Sequence, residues 1–312
     1  MKRVLLTGAS GMIAQHCLPI LLARGFEVHA ISHRTPLTKI DRLFEHHVDL
    51  LDPGAVRSVV NRLQATHLLH LAWSSMPNGW AAETKAEASP WVEGSMTLIR
   101  EFVDAGGQHI LGGGTCAEYD WSRGRCSEDE TPIQPLSIYG FYKDVLHRAL
   151  ISYCCDRDVR HKWARIFFVY GPHEKPWRLV PSVIRSLLND EIAHCSHGNQ
   201  LRDYLYVEDV AQALVGLLES DVVGTFNVGS GHSIRVRDLV MEIAANFGLQ
   251  DLIRFGALKP SGPDAPLVVA DTQRITDALG WRPQYQIQEG IARTISWWRM
   301  ALPIKAPSLR RF

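Results

Sequence analysis

The chain has 312 residues with 33 basic and 33 acidic side chains, so its formal net charge at pH 7 is zero. This balance lacks the basic footprint of a nucleic-acid-binding protein, and no run of about 20 apolar residues offers a membrane span. The opening Met1-Lys2-Arg3 continues directly into a strand-like run rather than a signal peptide. We therefore expect a cytoplasmic protein of one large domain or two unequal domains, without a nucleic-acid or membrane partner.

Cysteine and histidine usage predicts neither a disulfide framework nor a metal site. None of the six cysteines forms a CxxC pair, and the fourteen histidines do not cluster with the spacing of metal ligands. We expect the cysteines to be reduced.

A glycine-rich turn near the N-terminus predicts a dinucleotide site. An apolar run at 3–6 predicts a strand, residues 13–24 have helical spacing, and a second strand is predicted at 27–32. Gly8 would make the tight turn and Gly11 would let a pyrophosphate approach the backbone, with Ala14 at the third position of the motif. The residues of this turn expected to contact the cofactor are Gly8, Ser10, Gly11, Met12 and Ile13.

The end of the second strand bears on which nicotinamide cofactor binds. NAD sites usually place an Asp or Glu there for the ribose hydroxyls, whereas NADP sites lack that acid and supply a cation. This chain has Ser32, His33 and Arg34, and the arginine fork could clamp a 2'-phosphate. We therefore expect NADP (NADPH) to be favoured, with NAD as the alternative.

Strand-like and helix-like segments alternate through the first half of the chain. This pattern predicts an α/β fold with a doubly wound parallel sheet. The predicted strands and helices are, in chain order, 47–49, 53–64, 67–72, 87–105, 108–113, 139–155 and 163–170. The strand at 67–72 ends in Trp73 and Ser74, and strand ends of this kind line cofactors.

Tyr139 and Lys143 are four residues apart on a predicted helix, so the phenol and the ammonium lie on one face. A nearby cation favours phenolate and lowers the pKa of a phenol from its ordinary value of about 10. Tyr142 points about 100° away from the adjacent Lys143 on the helix, so it cannot share the face of the lysine. It is expected to pack in the core or an interface. The pair is a candidate for proton transfer, although the same spacing is common on solvated helices.

Together these motifs resemble the extended short-chain dehydrogenase/reductase family, which contains nucleotide-sugar epimerases, dehydratases and ketoreductases. The resemblance covers nearly the whole chain. The matching segments are 7–14, Asp49 with Leu50, Leu71 with Ala72, Thr115 with Tyr119, Tyr139 with Lys143, 170–172, 202–210, 226–229 and 279–283. It implies a Rossmann NAD(P)-binding domain of residues 1–175 plus 201–232. Residues 176–200 and 233–312 would form a smaller C-terminal α/β substrate-binding domain, with the active site between the two.

The resemblance also implies a division of roles. A hydride would pass between nicotinamide and a sugar carbon, while Tyr139 exchanges the hydroxyl proton and Lys143 grips the nicotinamide ribose. Thr115 follows three glycines at a strand end and would orient the substrate oxygen. The other expected cofactor contacts are Ser32, His33, Arg34, Asp49, Leu50, Leu71, Ala72, Trp73 and Lys143. The expected substrate contacts are Ser74, Cys116, Arg178, Arg202 and Lys259.

Three basic residues are assigned to the nucleotide sugar by this resemblance. Arg202 matches a family arginine that holds the diphosphate, the alternative being an ion pair with Asp203 or Asp209. Arg178 falls where GDP-fucose synthases place a catalytic histidine, and as a poor proton donor it would bind sugar hydroxyls or phosphate. Lys259 could replace a family arginine as a point charge.

Departures from the family pattern bear on the reaction. Dehydratases follow the threonine with Asp and Glu as acid and base, whereas this chain has Cys116 and Ala117. Glu118, one position later, is expected to point elsewhere. Because an epimerase needs no pool of reduced cofactor, the missing acid after the second strand favours a ketoreductase. The sequence thus predicts an NADPH-dependent 4-ketoreductase of a nucleotide-linked 6-deoxy-4-keto hexose, in deoxysugar biosynthesis.

Three alternatives remain open. A nucleotide-sugar 4-epimerase shares every catalytic residue, and a 4,6-dehydratase or a non-catalytic NADP-binding protein is less favoured. The long helices at 87–105 and 139–155 carry more apolar surface than a core needs, and family members often pair these helices in a dimeric four-helix bundle. We therefore expect a homodimer.

Overall fold

The computed structural model describes residues 2–33, 37, 40–74, 83–259 and 264–302. Within them the strands are β1 Arg3–Thr7, β2 Glu27–Ser32, β3 Leu43–His47, β4 His67–His70, β5 His109–Thr115, β6 Arg125–Cys126, β7 Arg160–Ile166, β8 Phe168–Tyr170, β9 Ala193–His194, β10 Leu201–Arg202, β11 Tyr204–Tyr206, β12 Gly224–Val228, β13 Ile234–Arg235, β14 Ile253–Arg254 and β15 Leu267–Ala270. The α-helices are α1 Met12–Ala23, α2 Pro53–Leu63, α3 Lys85–Asp104, α4 Ile138–Cys154, α5 Leu179–Leu188, α6 Val207–Glu219, α7 Val236–Ala245, α8 Gln273–Leu279 and α9 Ile287–Ala301.

The central sheet has seven parallel strands in the order β12-β7-β5-β4-β1-β2-β3. Strands are added on one side of β1 as far as β3 and then on its other side from β4 onward. This change of direction makes a switch point between β1 and β4, and in open α/β sheets ligands bind at the carboxyl ends of the strands beside it. The predicted doubly wound parallel sheet is confirmed.

Helices cover both faces of this sheet, which explains why the central strand β1 has a continuous apolar run at Val4, Leu5 and Leu6. Alternate residues of β1 face opposite sides: Val4 and Leu6 pack with α1 and α6, whereas Leu5 packs with α2, α3 and α4. All three β1 side chains are fully buried. No helix in the described part of the chain is both long and apolar enough to cross a membrane. The cytoplasmic location stays a prediction.

The C-terminal half forms a separate apolar cluster and most of three smaller sheets. One sheet has the order β13-β10-β15-β6, and the pairs β8-β11 and β9-β14 stand apart from it. The cluster joins α5, α7 and α9 through side chains such as Val183, Leu239 and Ile295. β12 and α6 return to the large sheet as expected, but β10 pairs with β13 and β15. The division of the chain into two domains stays a prediction.

Two predicted strands differ from the observed ones. The strand predicted at 47–49 is β3 at Leu43–His47, an edge strand with only two apolar residues, Leu43 and Phe44, followed by three polar ones. The strand predicted at 163–170 is two strands, because the chain leaves the large sheet at Phe167. There the Phe167 N–H bonds to the Val228 carbonyl and the Phe168 N–H to the Asp203 carbonyl.

Candidate active site

The helix that carries the predicted proton-transfer pair begins beside the carboxyl end of β5. Its cap is Ser137, whose Oγ accepts a hydrogen bond from the Gly140 N–H at 3.1 Å. A Cβ atom at Gly140 would collide with the Ala117 carbonyl oxygen, so glycine lets the first turn of α4 pack directly against the segment after β5. Tyr139 stands in that turn and Lys143 one turn later.

Thr115 and Tyr139 are hydrogen-bonded to each other. Thr115 is the last residue of β5, and its Oγ1 also accepts a hydrogen bond from the Ala117 N–H at 3.2 Å. The bond with Thr115 lowers the pKa of Tyr139, but burial is the larger effect and raises this pKa above that of an ordinary phenol. The phenol is therefore protonated at neutral pH and has a partner on the side where a substrate oxygen is expected.

Lys143 is buried next to this pair. Its Nζ donates a hydrogen bond to the Gly113 carbonyl oxygen at 2.7 Å and lies 4.2 Å from the centre of the Trp73 ring. Burial lowers the pKa of Lys143 to about 8, whereas the charges of Glu118 and Glu83 raise it. That Lys143 lowers the pKa of the phenol stays a prediction.

Glu118 is fully buried behind Thr115, against β7. Its carboxylate accepts hydrogen bonds from the Thr115 N–H at 2.9 Å, from Trp163 Nε1 at 3.0 Å and from Arg165 Nε at 2.7 Å. A Cβ atom at Gly114 would collide with the Trp163 indole, so the glycine run leaves room for this network. The carboxylate does not stand where a dehydratase acid is expected. It supports Thr115, a role that the sequence analysis missed.

Three buried side chains at this network lie close enough together to be considered as metal ligands. Glu118, Asp144 and His147 bring possible ligand atoms within 4.8 Å of one another. Each has a protein partner, however: besides the ion pair of Glu118, Asp144 Oδ2 accepts from Arg148 Nε at 2.7 Å and His147 Nε2 lies 3.1 Å from Thr225 Oγ1. We interpret the cluster as a buried polar network, and the absence of a metal site stays a prediction.

The glycine-rich turn between β1 and α1 has the geometry of an anion cradle. Gly8 has φ +67°, and a Cβ atom there would lie 2.9 Å from the backbone nitrogen of Ala72. Gly11 is the N-cap of α1 and offers no side-chain acceptor to the first helical N–H groups. These N–H groups fit a pyrophosphate, and Ser10, Met12 and Ile13 lie in the same turn and the start of α1. That they contact the cofactor stays a prediction.

The ends of neighbouring strands meet at the switch point. Thr7 Oγ1 accepts hydrogen bonds from the N–H groups of Leu71 at 3.1 Å and Ala72 at 3.2 Å, which joins the end of β1 to the end of β4. Asp49 and Leu50 follow β3 at the same edge, the first exposed and the second buried. The predicted cofactor residues at the ends of these strands therefore share one edge of the sheet.

The end of β2 differs from its prediction. Ser32 Oγ donates a hydrogen bond to Glu45 Oε1 at 2.6 Å, and the Leu37 N–H donates to the same oxygen at 3.1 Å. A carboxylate thus stands at this strand end after all, contributed by β3. The sequence analysis missed it because Glu45 is thirteen residues away in the chain. His33 is exposed, and Arg34 lies outside the described residues.

The three predicted substrate residues Ser74, Cys116 and Lys259 differ from one another in burial and partners. Ser74 Oγ donates a hydrogen bond to Glu83. Cys116 is buried beside Thr115, and burial raises the pKa of its thiol well above the ordinary value. Lys259 is exposed at the end of a described segment.

Arg202 is buried in β10 and does not form the ion pair considered as an alternative. Its Nη1 donates hydrogen bonds to the carbonyl oxygens of Leu201 at 2.9 Å and Ala265 at 2.7 Å. Asp203 instead accepts from backbone N–H groups of 230, 231 and 270, and Asp209 from those of 284 and 285. The guanidinium carbon lies 5.7 Å from the centre of the Phe168 ring.

Tyr204, Glu174 and Arg178 form a group near Arg202 that the sequence analysis only partly predicted. Burial raises the pKa of Tyr204 to about 12, the charge of Glu174 adds to this, and the charges of Arg178 and Arg202 oppose it. Arg178 Nε lies 3.5 Å from Glu174 Oε1. Arg178 and Arg202, which are both predicted to bind the substrate, are thus close enough to lower the pKa of the Tyr204 phenol. Glu174 gave no sequence signal because a carboxylate is ordinarily solvated.

Glu174 should make the stability of the protein depend on pH. It is buried, its Oε2 has no hydrogen-bond partner, and burial raises its pKa from 4.5 to about 7 despite the charge of Arg178. The folded state therefore holds the proton more tightly than the unfolded chain. The resulting stability is complete below pH 4.5 and is lost as the pH rises through about 7.

We expect Glu174→Gln to remove this pH dependence. Between pH 4.5 and pH 8 the free energy of unfolding of the wild type should fall by up to about 3 kcal/mol because of Glu174, and the variant should lack this fall. Urea denaturation at both pH values measures the change. Glu191→Gln, at an exposed position beyond the other end of α5, is the control. Equal pH dependence in Glu174→Gln and the wild type would contradict the assignment.

Comparison with known proteins agrees with this geometry. The model of the NAD dependent epimerase/dehydratase family matches residues 4–229. A dTDP-L-rhamnose 4-epimerase of Burkholderia thailandensis is 24% identical, the alignment covering 95% of this chain and 94% of the relative. The mouse dTDP-D-glucose 4,6-dehydratase is 25% identical, with 96% of this chain and 89% of the relative covered.

Solved structures are similar to this chain over nearly its whole length. MoeE5, in complex with UDP-glucuronic acid and NAD, superposes with a TM-score of 0.86 and 27% identity, covering 96% of this chain and 100% of that one. The UDP-glucose 4-epimerase of Thermus thermophilus, in complex with NAD, superposes with a TM-score of 0.85 and 26% identity, with the same coverage.

Proposed function

Because the chain belongs to the NAD-dependent epimerase/dehydratase family and is thus an enzyme of the extended short-chain dehydrogenase/reductase type, we propose that it is a nucleotide-sugar 4-epimerase that retains NAD. The observation that carries the proposal is the hydrogen-bonded pair Thr115 and Tyr139 at the carboxyl edge of the sheet, with Lys143 buried one helical turn away. The nicotinamide, when bound, accepts and returns a hydride.

The residues of the chain handle the proton. The step needs Tyr139 as the phenolate, the form that the positive charges of Lys143 and of a bound oxidised nicotinamide would favour. The phenolate takes the proton of the sugar 4-hydroxyl as that carbon is oxidised, and the phenol returns it to the oxygen as the carbon is reduced on its other face. Thr115 holds the same oxygen and keeps the phenol in place. Lys143 supplies positive charge beside the nicotinamide ribose and the phenol. Each of these groups is restored at the end of a turnover, as epimerisation requires.

Dehydration is not supported by the same geometry. Elimination of water from neighbouring sugar carbons needs an acid and a base besides the tyrosine. Cys116 is a buried thiol with a raised pKa, Ala117 has no titratable group, and Glu118 is engaged with Arg165. The group at Arg178, Arg202 and Tyr204 instead supports binding of the diphosphate of a nucleotide sugar.

The choice of cofactor rests on the end of β2. Glu45 places a carboxylate next to Ser32, and a negative charge there suits ribose hydroxyls and repels a 2'-phosphate. Relatives described in complex with NAD support the same choice. The second candidate is the NADPH-dependent 4-ketoreductase predicted from the sequence. His33 and Arg34 at the strand end favour it, because a cation there could bind a 2'-phosphate.

A single assay with two substrates separates the candidates. We expect the purified protein to release NAD on denaturation and to interconvert the 4-epimers of a UDP- or dTDP-hexose with no net change in absorbance at 340 nm. Tyr139→Phe is the inactive control. Stoichiometric loss of added NADPH with a dTDP-4-keto-6-deoxyhexose, and no epimerisation, would replace the epimerase with the ketoreductase.

The expected homodimer remains part of this proposal. Three apolar side chains on α4, those of Ile138, Phe141 and Ile151, are at least 38% exposed, which is costly for a helix that faces only water. Sedimentation velocity should give twice the monomer mass, and Phe141→Glu should lower it. A monomeric wild type would contradict the proposal.

A further inference from the structure

Glu83 is a buried carboxylate beside the reaction centre that has no role in the proposal so far. It directly precedes Thr84, the N-cap of α3, and only 6% of it is exposed. Its oxygens accept hydrogen bonds from Trp73 Nε1 at 3.2 and 3.4 Å and from Ser74 Oγ. In the described part of the chain it belongs to no ion pair. Both of its partners come from the segment after β4 that lines the predicted site.

Trp73 connects Glu83 to the catalytic pair. The centre of its ring lies 4.2 Å from Lys143 Nζ and 6.3 Å from the centre of the Tyr139 ring, with 73° between the two aromatic planes. Because Glu83 holds the indole N–H, the ring cannot turn its face away from the ammonium without breaking that bond. The carboxylate therefore fixes the aromatic surface on which Lys143 rests.

The bond to Ser74 has a second consequence. A serine hydroxyl has one proton, and here the proton is donated to Glu83. Toward a bound substrate, Ser74 Oγ can then only accept a hydrogen bond. A sugar hydroxyl satisfies this requirement, whereas a carbonyl or ether oxygen at the same place does not.

We propose that Glu83 is a positioning residue for the reaction: it holds Trp73 against the Lys143 ammonium and turns Ser74 into an obligate acceptor for a hydroxyl group of the sugar. This inference rests on the proposed function for its substrate half. Its other half, the control of Lys143, depends only on the geometry of the protein.

The charge of Glu83 should raise the pKa of Lys143. The groups that face this lysine are the carboxylates of Glu83 and Glu118, the phenol of Tyr139, and His70, which burial keeps neutral. The rings of Trp73 and Trp163 also lie within 6 Å of its Nζ. Burial lowers the pKa of Lys143 and only the two carboxylates oppose it, so removal of one charge should lower this pKa further.

Glu83→Gln tests this half without the need for a substrate. We expect competitive labelling with acetic anhydride, read by mass spectrometry, to show a lower midpoint for Lys143 than in the wild type. Glu83→Asp keeps the charge and should restore most of the shift. Glu93→Gln, at an exposed position on α3, is the matched control, and Lys162 serves as an internal reference. An unchanged midpoint in folded Glu83→Gln would overturn the proposal.

Ser74→Ala tests the substrate half and leaves Glu83 in place. We expect KM for the nucleotide sugar to rise about tenfold with kcat changed less, and the midpoint of Lys143 to stay where it is. In Glu83→Gln the alkaline limb of the pH profile of kcat should move down together with the labelling midpoint. An unchanged KM in Ser74→Ala would overturn the acceptor role. If nucleotide sugars are not turned over by the wild type while the labelling shift is found, the proposed function fails and the control of Lys143 stands.

Discussion

Tyr139→Phe is expected to lower kcat by about 10²- to 10⁴-fold, the range that a positioned general acid or base contributes. The change removes only the phenolic oxygen, so the Trp73 ring keeps its aromatic neighbour and the fold should persist. The amount of NAD that the purified variant releases on denaturation should match that of the wild type. That combination would separate catalysis from cofactor binding.

Tyr142→Phe is the matched control for this variant. Tyr142 is on the same helix and partly exposed, but its ring packs edge-on against Phe141 at 5.2 Å rather than toward Thr115. Its kcat should remain within about twofold of the wild type. Loss of activity in both variants, or more than a tenth of wild-type kcat in Tyr139→Phe, would contradict the assignment of the proton carrier.

The proton-transfer pair was predictable because its information is local. Tyr139 and Lys143 need only the periodicity of one helix to share a face, and Thr115 follows a glycine run that marks a strand end. The turn at Gly8 and Gly11 is local in the same way. The doubly wound parallel sheet was predictable from the alternation of short strand-like and helix-like segments.

The carboxylates around the site were not predictable from the chain alone. Glu118 pairs with Arg165, which is 47 residues later in the chain. Glu45 on β3 contacts Ser32 on the neighbouring strand β2. Glu83 holds an indole ten residues before it. An acidic residue in a sequence suggests solvent exposure, and only the tertiary neighbours decide that it is buried and paired. The same reason explains why the missing acid after β2 seemed to favour NADP.

Glu118→Ala is expected to lower the free energy of unfolding by about 3–5 kcal/mol, because it leaves the buried guanidinium of Arg165 without its counter-charge. Arg165 is 3% exposed, and Trp163 Nε1 and the Thr115 N–H would also lose their acceptor. Urea denaturation at pH 7 measures the effect. A loss below about 1 kcal/mol would show that the network does not hold the sheet and the catalytic segment together.

A surface pair gives the comparison for this variant. Glu101 accepts a hydrogen bond from Arg57 Nε at 2.8 Å, much like the 2.7 Å contact between Glu118 and Arg165, but the Arg57 side chain is 65% exposed. Water can replace the carboxylate there, so Glu101→Ala should cost no more than about 1 kcal/mol.

Replacing both members of the buried pair separates charge from position. In Glu118→Gln/Arg165→Met no unpaired charge remains, and much of the stability lost in Glu118→Ala should return. The amide oxygen of the glutamine can still accept from the Thr115 N–H. If kcat recovers along with stability, the carboxylate acts on catalysis by holding Thr115 in place. If stability returns and kcat does not, the negative charge itself is required, since Glu118 is one of the two carboxylates that raise the pKa of Lys143.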